Sequence, residues 1–565
     1  MPPRPKEKPE NRFIFVGGPA LTDRAGPVRT RLLQQAHRQK KTQQRQNATL
    51  ERELLTKGER NPVCTCSQDA TTLAAQIPEQ SQNVRHRPIM PKMPAPTGIV
   101  QVCPSCGKIP APPSQVSAMQ VWDIGAGSSN PMIPVDDTIS QLKVQELLHF
   151  ACTAIWPNFR PLGYTSNCYR SWVFPFDNKV RLYALLWSAS YHRDILNLTY
   201  GGPNYLGGSK EQLILKGLAL ESLRNEVDTY TGATPIDSII MCILYLAVND
   251  TVGTRLPVYR ESSPFNPPFR SLHALDLYGS RDYHPVHWKI IQDLLGRYGG
   301  VEVLHEFGLA WLLSLSDIMG AAHTLQKPLY PCMGVYGKRL FLEPPLVLFE
   351  SCAPHFAGHT AGSGFDELLS IDPPVRQEVV ATFSHIGQLS CVLQYYTVES
   401  YSLEILDLLG DCRNYVHYHL FSSPDANSTT EEILQHTDQD PEVNELSKEI
   451  YLACRLALHL YATHVTFPIP RSTIVRRQLL QLLRPKLQFL AEKSIGRSLL
   501  LWCVSVALVA SDIDSDEPML AIFKRLCQEL KVDSLDDLLA LLRKFAWVDK
   551  AAERQYTRLS DIINE

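Results

Sequence analysis

Apolar residues are distributed along this chain in two different ways. Before about residue 140 they show almost no period, and Pro, Gln, Ser and Thr dominate. Beyond it they return every third or fourth residue, the spacing that lays one apolar stripe along a helix. In TISQLKVQELLHFACTAIW, Ile139, Leu142, Val144, Leu147, Leu148 and Cys152 mark such a face. The same period predicts helices over Lys179–Leu196, Ser209–Val227, Pro235–Val248, His287–Leu295, Val301–Ser316 and Pro374–Tyr396. It predicts five more over Val443–Thr463, Thr473–Ala491, Ser498–Ala510, Pro518–Leu530 and Ser534–Phe545. Strand-like alternation is scarce, and no solenoid-type repeat stands out. The expected fold is therefore all-α: a large multi-helix domain over residues 140–565, preceded by a mostly disordered N-terminal arm. Within the domain, residues 252–285 (rich in Pro, Ser and Arg) and 422–445 (acidic and polar) read as surface loops, the second as a flexible insertion.

The N-terminal part divides again. Residues 1–60 form a basic arm with a helix expected at about 27–57, because Gly26-Pro27 is a start signal with Pro at the first helical position. Residues 61–139 form a Pro/Gln/Ser-rich linker; PEQSQNVRHRPIMPKMPAPTG (Pro78 to Gly98) cannot bury enough surface to offset chain entropy. RFIFVGG (Arg12 to Gly18) is the one island apolar enough to dock.

Composition adds constraints. A chain of 565 residues is too long for one ordinary core, and 44% hydrophobic with 20% charged residues describes a globular protein. The formal charge is only -3, so any polyanion binding must be local. MPPRPKEKPE has no apolar stretch of the kind a secretory signal needs, and SLLLWCVSVALVAS (Ser498 to Ser511) is too short to span a bilayer. Cys242, Cys391, Cys454, Cys503 and Cys527 lie in apolar runs, as buried thiols of a reducing compartment do. Cytosol or nucleus is the expected location.

The local charge sits in VRTRLLQQAHRQKKTQQRQ (Val28 to Gln46), which carries six Arg or Lys residues and no acid. Arg24, Arg31, Arg38, Arg45 and Arg52 recur every seven residues, so a helix would line them along one stripe, with Lys41 extending the face and Lys40 beside it. Such a stripe suits phosphate contacts, and Gln34, Gln35, Gln43, Gln44 or Asn47 could reach base edges. The candidate DNA-binding residues are Arg24, Arg31, Arg38, Lys40, Lys41 and Arg45. No apolar seam follows between His37 and Ala48, which argues against a zipper. The same residues equally fit a solvated arm or import signal.

Other constellations carry less. Tyr191-His192-Arg193-Asp194 invites comparison with a kinase catalytic loop, but position 199 is Thr where a magnesium-holding Asn is needed, and no Gly-rich phosphate loop precedes it. Cys64, Cys66, Cys103 and Cys106 could supply four thiolates to zinc. The CxC spacing is unusual, however, and 36 residues separate the two pairs, so they read as unrelated and no metal is expected. His149, His192, His417, His419, His459 and His464 read as packed or surface residues, and Trp502 and Trp547 as core anchors. No nucleophile elbow, zincin helix or Walker loop is present, so no catalytic residues and no cofactor are expected.

Several stretches together resemble the fungal-specific transcription factor domain. GAGSSNPMIPV (Gly125 to Val135) and ELLHFACTAIWP (Glu146 to Pro157) are similar to its opening: a Gly-rich turn, an Asp-Pro-Phe step (here Asn130-Pro131-Met132), then a helix ending at a Trp. LYALLWSASYHRDILN, KEQLILKGLALESLRNEV and DSIIMCILYLAVND resemble its first helical core in order and spacing. LACRLALHLYATHVTFPIP and RSLLLWCVSVALVAS, ending in Phe545-Ala546-Trp547, resemble its second. The cover is roughly residues 120–550. FIFVGGP (Phe13 to Pro19) before the arginines and His37 resembles a subgroup that lacks the binuclear zinc cluster, and this chain has no six cysteines in two close triads. The resemblance implies a nuclear, non-enzymatic transcriptional regulator whose long helical part is a regulatory domain. DNA, proteins of the transcription machinery and a second copy of the chain are its candidate partners, and no membrane is involved. The alternative is a co-regulator or scaffold that binds no DNA and uses the basic arm as a nuclear import signal.

Overall fold

The computed structural model describes residues 143–173, 178–199, 210–232, 235–249, 263–279, 283–352, 361–470, 472–511 and 516–565. Among them the fold is all-α, and strand pairing is confined to two isolated antiparallel bridges, Met333 with Arg339 and Val375 with Leu434. The first helices are α1 (Val144–Phe150), α2 (Trp156–Phe159), α3 (Tyr164–Cys168), α4 (Lys179–Thr199), α5 (Lys210–Thr229), α6 (Asp237–Asn249), α7 (Pro285–Tyr298) and α8 (Leu309–Thr324). They are followed by α9 (Gln377–Tyr395), α10 (Leu403–Ser422), α11 (Thr430–Ile433), α12 (Pro441–Tyr461), α13 (Thr473–Ala491), α14 (Arg497–Ala510), α15 (Glu517–Leu530), α16 (Leu535–Leu542) and α17 (Tyr556–Asn564).

Two groups of helices share one hydrophobic core. In the first, α4 packs on α5 and α6, and α7 on α6; in the second, α12 packs on α13 and α14, and α14 on α15. Helices α8, α9 and α10 connect the groups, α10 lying against both α8 and α9. Helix α14 is buried all round from Leu499 to Ala510, as a central helix must be, and its polar Ser505 is satisfied by donating to the Leu501 carbonyl at 2.7 Å. By contrast α13 is amphipathic and carries Pro485, whose missing N–H leaves the Gln481 carbonyl without its helical donor. Both residues are exposed, so water serves that carbonyl.

Most predicted helices stand within a turn of their expected limits; Thr473–Ala491 is reproduced at both ends. Four expectations need correction. Val301–Ser316 is not one helix: a single tight turn at Val301–Val303 gives way to extended backbone, and α8 starts only at Leu309. The cause is Asp237, whose buried Oδ1 accepts from the backbone N–H groups of His305 (2.6 Å) and Glu306 (2.7 Å) and draws them out of the helical ladder. Gly308 completes the break at φ +74°, with the Tyr164 ring 3.2 Å from where a Cβ would sit.

Residues 422–445 are not a loose insertion. Thr429 and Glu432 form a capping box that starts α11, and Ile433 and Leu434 are buried. Arg376 donates to the Ile433 carbonyl and Gln435 to the Pro374 carbonyl, both at 2.9 Å, which pins the segment beside the start of α9. Of residues 252–285, the described part is no surface excursion either: Phe265, Leu272, His273, Ala274 and Leu275 are buried. Finally, α10 carries no predicted helix at all. Its buried face includes Arg413, Asn414 and His417, which interrupt the apolar period.

Candidate functional site

The candidate DNA-binding residues Arg24, Arg31, Arg38, Lys40, Lys41 and Arg45, and the cysteines Cys64, Cys66, Cys103 and Cys106, lie outside the described residues. Among the described residues, no group of three or more His, Cys, Asp or Glu side chains is arranged to hold a metal ion. Cysteines 168, 242, 412 and 454 are buried free thiols; burial pushes Cys242 up to about 12, so it stays protonated and inert. The His192-Arg193-Asp194 run is a structural tie. His192 pairs through Nδ1 with the Tyr278 hydroxyl (2.7 Å), Arg193 reaches Glu146 on α1 (3.1 Å) and Glu211 on α5 (3.4 Å), and Asp194 accepts from Gln212 (2.6 Å).

Among the described residues, the first helix group carries an apolar cavity with about 60 Å³ of space free to a water-sized sphere. Its walls come from α2, α3, α4, α6 and α8, with Trp172, Tyr278 and Tyr283 from the segments between them. Two π-helical turns, Ala151–Ile155 and Tyr169–Val173, lie beside it and carry Ile155 and Trp172 into the lining. The aromatic walls brace each other edge to face: Trp156 to Trp172 at 5.8 Å and 80°, Tyr164 to Trp172 at 6.2 Å and 89°. Trp172 is further fixed by donating its indole N–H to the Phe307 carbonyl at 2.9 Å. Phe159 and Tyr278 lie 5.1 Å apart on another wall.

Polar groups in the lining are few. Asn249, at the end of α6 and buried, donates through Nδ2 to the Tyr245 carbonyl (3.0 Å) and to Ser188 Oγ on α4 (3.1 Å). Its Oδ1 is buried and accepts nothing. Asn249 and Tyr278 were both missed at the level of sequence. The signal for the first was a lone amide closing an otherwise apolar helix, ILYLAVN.

Behind the cavity, α10 grips the segment that carries Tyr278. Buried Arg413 donates to the carbonyls of Leu272 (2.6 Å) and Phe269 (3.3 Å), and its guanidinium lies over the Phe467 ring. Burial pulls this arginine down to about 9. Three residues of the gripped segment, Phe269, His273 and Ala274, hold left-handed backbone at φ 51°, 57° and 52°. Asn414 Nδ2 donates to His273 Nδ1 at 3.0 Å, so His273 carries its proton on Nε2. That nitrogen faces Gly410, where a Cβ would stand only 2.2 Å away. Arg160, just past α2, forks onto Asp411 (2.5 and 3.0 Å) and also bonds Asp407, and its guanidinium lies over the Trp311 ring at 5.4 Å.

His417 on α10 donates from Nδ1 to the Arg413 carbonyl (2.7 Å) and accepts the Thr466 hydroxyl at Nε2 (2.8 Å), which makes it a neutral ring. Burial drives His417, His459 and His464 each down to about 3, and His273 well below its ordinary value. None of them offers a proton-transfer group near neutrality. They are core residues, as expected for His417, His459 and His464.

A family model, the fungal specific transcription factor domain, matches residues 146–547, which include both helix groups, the cavity and the α10 grip. No curated protein and no solved structure matches the chain. Since the match takes in well over half of the sequence, this protein belongs to the fungal-specific transcription factor domain family.

Proposed function

We propose that this protein is a nuclear transcriptional regulator whose basic N-terminal segment contacts DNA phosphates, while the helical domain carries regulation and contacts to the transcription machinery. Family membership supports the regulatory role. The observation that carries the DNA contact is the seven-residue recurrence of Arg24, Arg31, Arg38, Arg45 and Arg52 in a chain of net charge only -3. One stripe of cations in a near-neutral protein concentrates the potential a polyanion meets. Among the described residues, the neutral core histidines and buried protonated cysteines act as packing groups, which suits a binding role for the helical domain.

The test is duplex affinity as a function of salt. With six cations on phosphates, log K falls against log salt with a slope of about -5, and alanines at Arg31, Arg38 and Lys41 reduce that slope by about 3. Binding that ignores salt, or a slope unmoved by the alanines, refutes the DNA contact. The lack of a six-cysteine cluster favours a second reading, a co-regulator whose arm serves import only. On that reading an unrelated import signal in place of residues 1–60 preserves the transcriptional effect; on ours it abolishes promoter occupancy.

A further inference from the structure

We infer that the cavity walled by α2, α3, α4, α6 and α8 is a binding site for a neutral, ring-bearing apolar molecule that presents one hydrogen-bond donor to Asn249. This holds whether or not the arm touches DNA.

The lining sets the ligand class. No charged side chain is among the described lining residues, so an ionic ligand would lose its hydration without a counter-charge. Trp156, Trp172, Phe159 and Tyr278 bring large rings into the walls, and such quadrupolar surfaces favour rings over flexible chains. The one directional demand comes from Asn249. The Tyr245 carbonyl can only accept, so the amide nitrogen must face it, and the second N–H is taken by Ser188 Oγ. Both donors are spent, and Oδ1 is left as a buried acceptor without a hydrogen-bond partner. The folded chain therefore carries two linked costs, an unfilled space against large aromatic rings and an orphaned acceptor beside it. A ligand with an apolar ring body and one O–H or N–H removes both.

The experiment uses the full chain with the methionine methyls labelled with carbon-13, and two probes, 2-naphthol and naphthalene. Met319 lines the cavity, whereas Met519 is buried in α15 in the second helix group, so their signals separate binding here from binding elsewhere. A Met319→Leu variant, nearly volume-conserving, assigns the first signal. Both probes are expected to shift Met319 and leave Met519 in place. 2-Naphthol is expected to bind about fivefold more tightly, the factor of one net hydrogen bond. Without an acceptor the order reverses, because burying an unpaired hydroxyl is unfavourable. In Asn249→Leu the preference for 2-naphthol is lost and naphthalene still binds. No shift of Met319 with either probe overturns the site, and equal or reversed affinities in the wild-type protein overturn the role of Asn249. The wild-type comparison decides both points even if the Asn249 variant does not fold.

Discussion

Acid should unfold this protein in a way set by three buried histidines, His417, His459 and His464. Each is neutral in the folded core, with burial holding it down to about 3. In the unfolded chain an imidazole titrates near 6.5. Between these values the unfolded state binds more protons, so stability rises with pH through the window and is lost as pH falls from about 6.5 toward 3. At pH 5 each ring therefore takes about 2 kcal/mol from the folded state relative to pH 7, or roughly 6 kcal/mol for three independent rings. Buried carboxyls oppose this. Asp317 is pushed up to about 6 by burial, so acidification to pH 5 relieves about 1 kcal/mol there. Asp194, Glu226, Glu367 and Asp407 are also raised by burial and act in the same direction as Asp317. The histidine part of this fall, several kcal/mol, is comparable with the whole stability of an ordinary domain. Urea unfolding between pH 7.5 and 4.5 measures it. The diagnostic control is His459→Gln: its destabilisation at pH 7 should shrink by about 2 kcal/mol at pH 5, because the variant no longer carries that proton linkage. A gap between variant and wild type that stays constant across this range would refute the argument.

Three further outcomes follow from the geometry behind the cavity and the segment beside α9. Gly410→Ala places a methyl 2.2 Å from His273 Nε2 and should cost about 3 kcal/mol in urea unfolding; a change under 0.5 kcal/mol would mean that the ring moves freely. Arg160→Met strips the partner from Asp407 and Asp411, both mostly buried, and should destabilise by about 3–5 kcal/mol, with Arg160→Lys intermediate because it cannot fork. Glu432→Ala opens the capping box before α11 and should cost about 1 kcal/mol, seen as faster amide exchange at Thr429, whose N–H it accepts at 2.9 Å.

How far the fold could be read from sequence depended on whether one rule governed a segment. Helices such as α13 and α15 have an apolar stripe, a polar outer face and a clear stop, so period alone located them. The second helix group was legible almost throughout for that reason. The failures around α8, the 263–279 segment and α10 share a different cause: each is a stretch where a long-range polar contact overrides the local period. Asp237 unwinds residues 304–307 from 68 and 69 positions away, and no window centred on Val301–Ser316 contains it. Arg413 recasts Phe269 to Ala274 from 141 and 144 positions away, and the polar residues that let it do so erased α10 from the apolar pattern.

Apart from residues 422–445, which sit beside α9, those failures fall in one region. The unwound stretch before α8, the left-handed turns at Phe269, His273 and Ala274, and the polar face of α10 all lie beside or behind the cavity, as do the π-helical turns that carry Ile155 and Trp172 into it. Left-handed non-glycine backbone costs on the order of 1–2 kcal/mol per residue, and an orphaned acceptor such as Asn249 Oδ1 costs about 1–3 kcal/mol. In the second helix group α14 is buried without an unsatisfied side chain, although His464 Nε2 and Arg484 Nε beside it are buried without a partner. Around the cavity they stand together: left-handed backbone, an orphaned acceptor and two π-helical turns flank one aromatic-lined space. That is the pattern expected where a fold is shaped around something it holds rather than around itself.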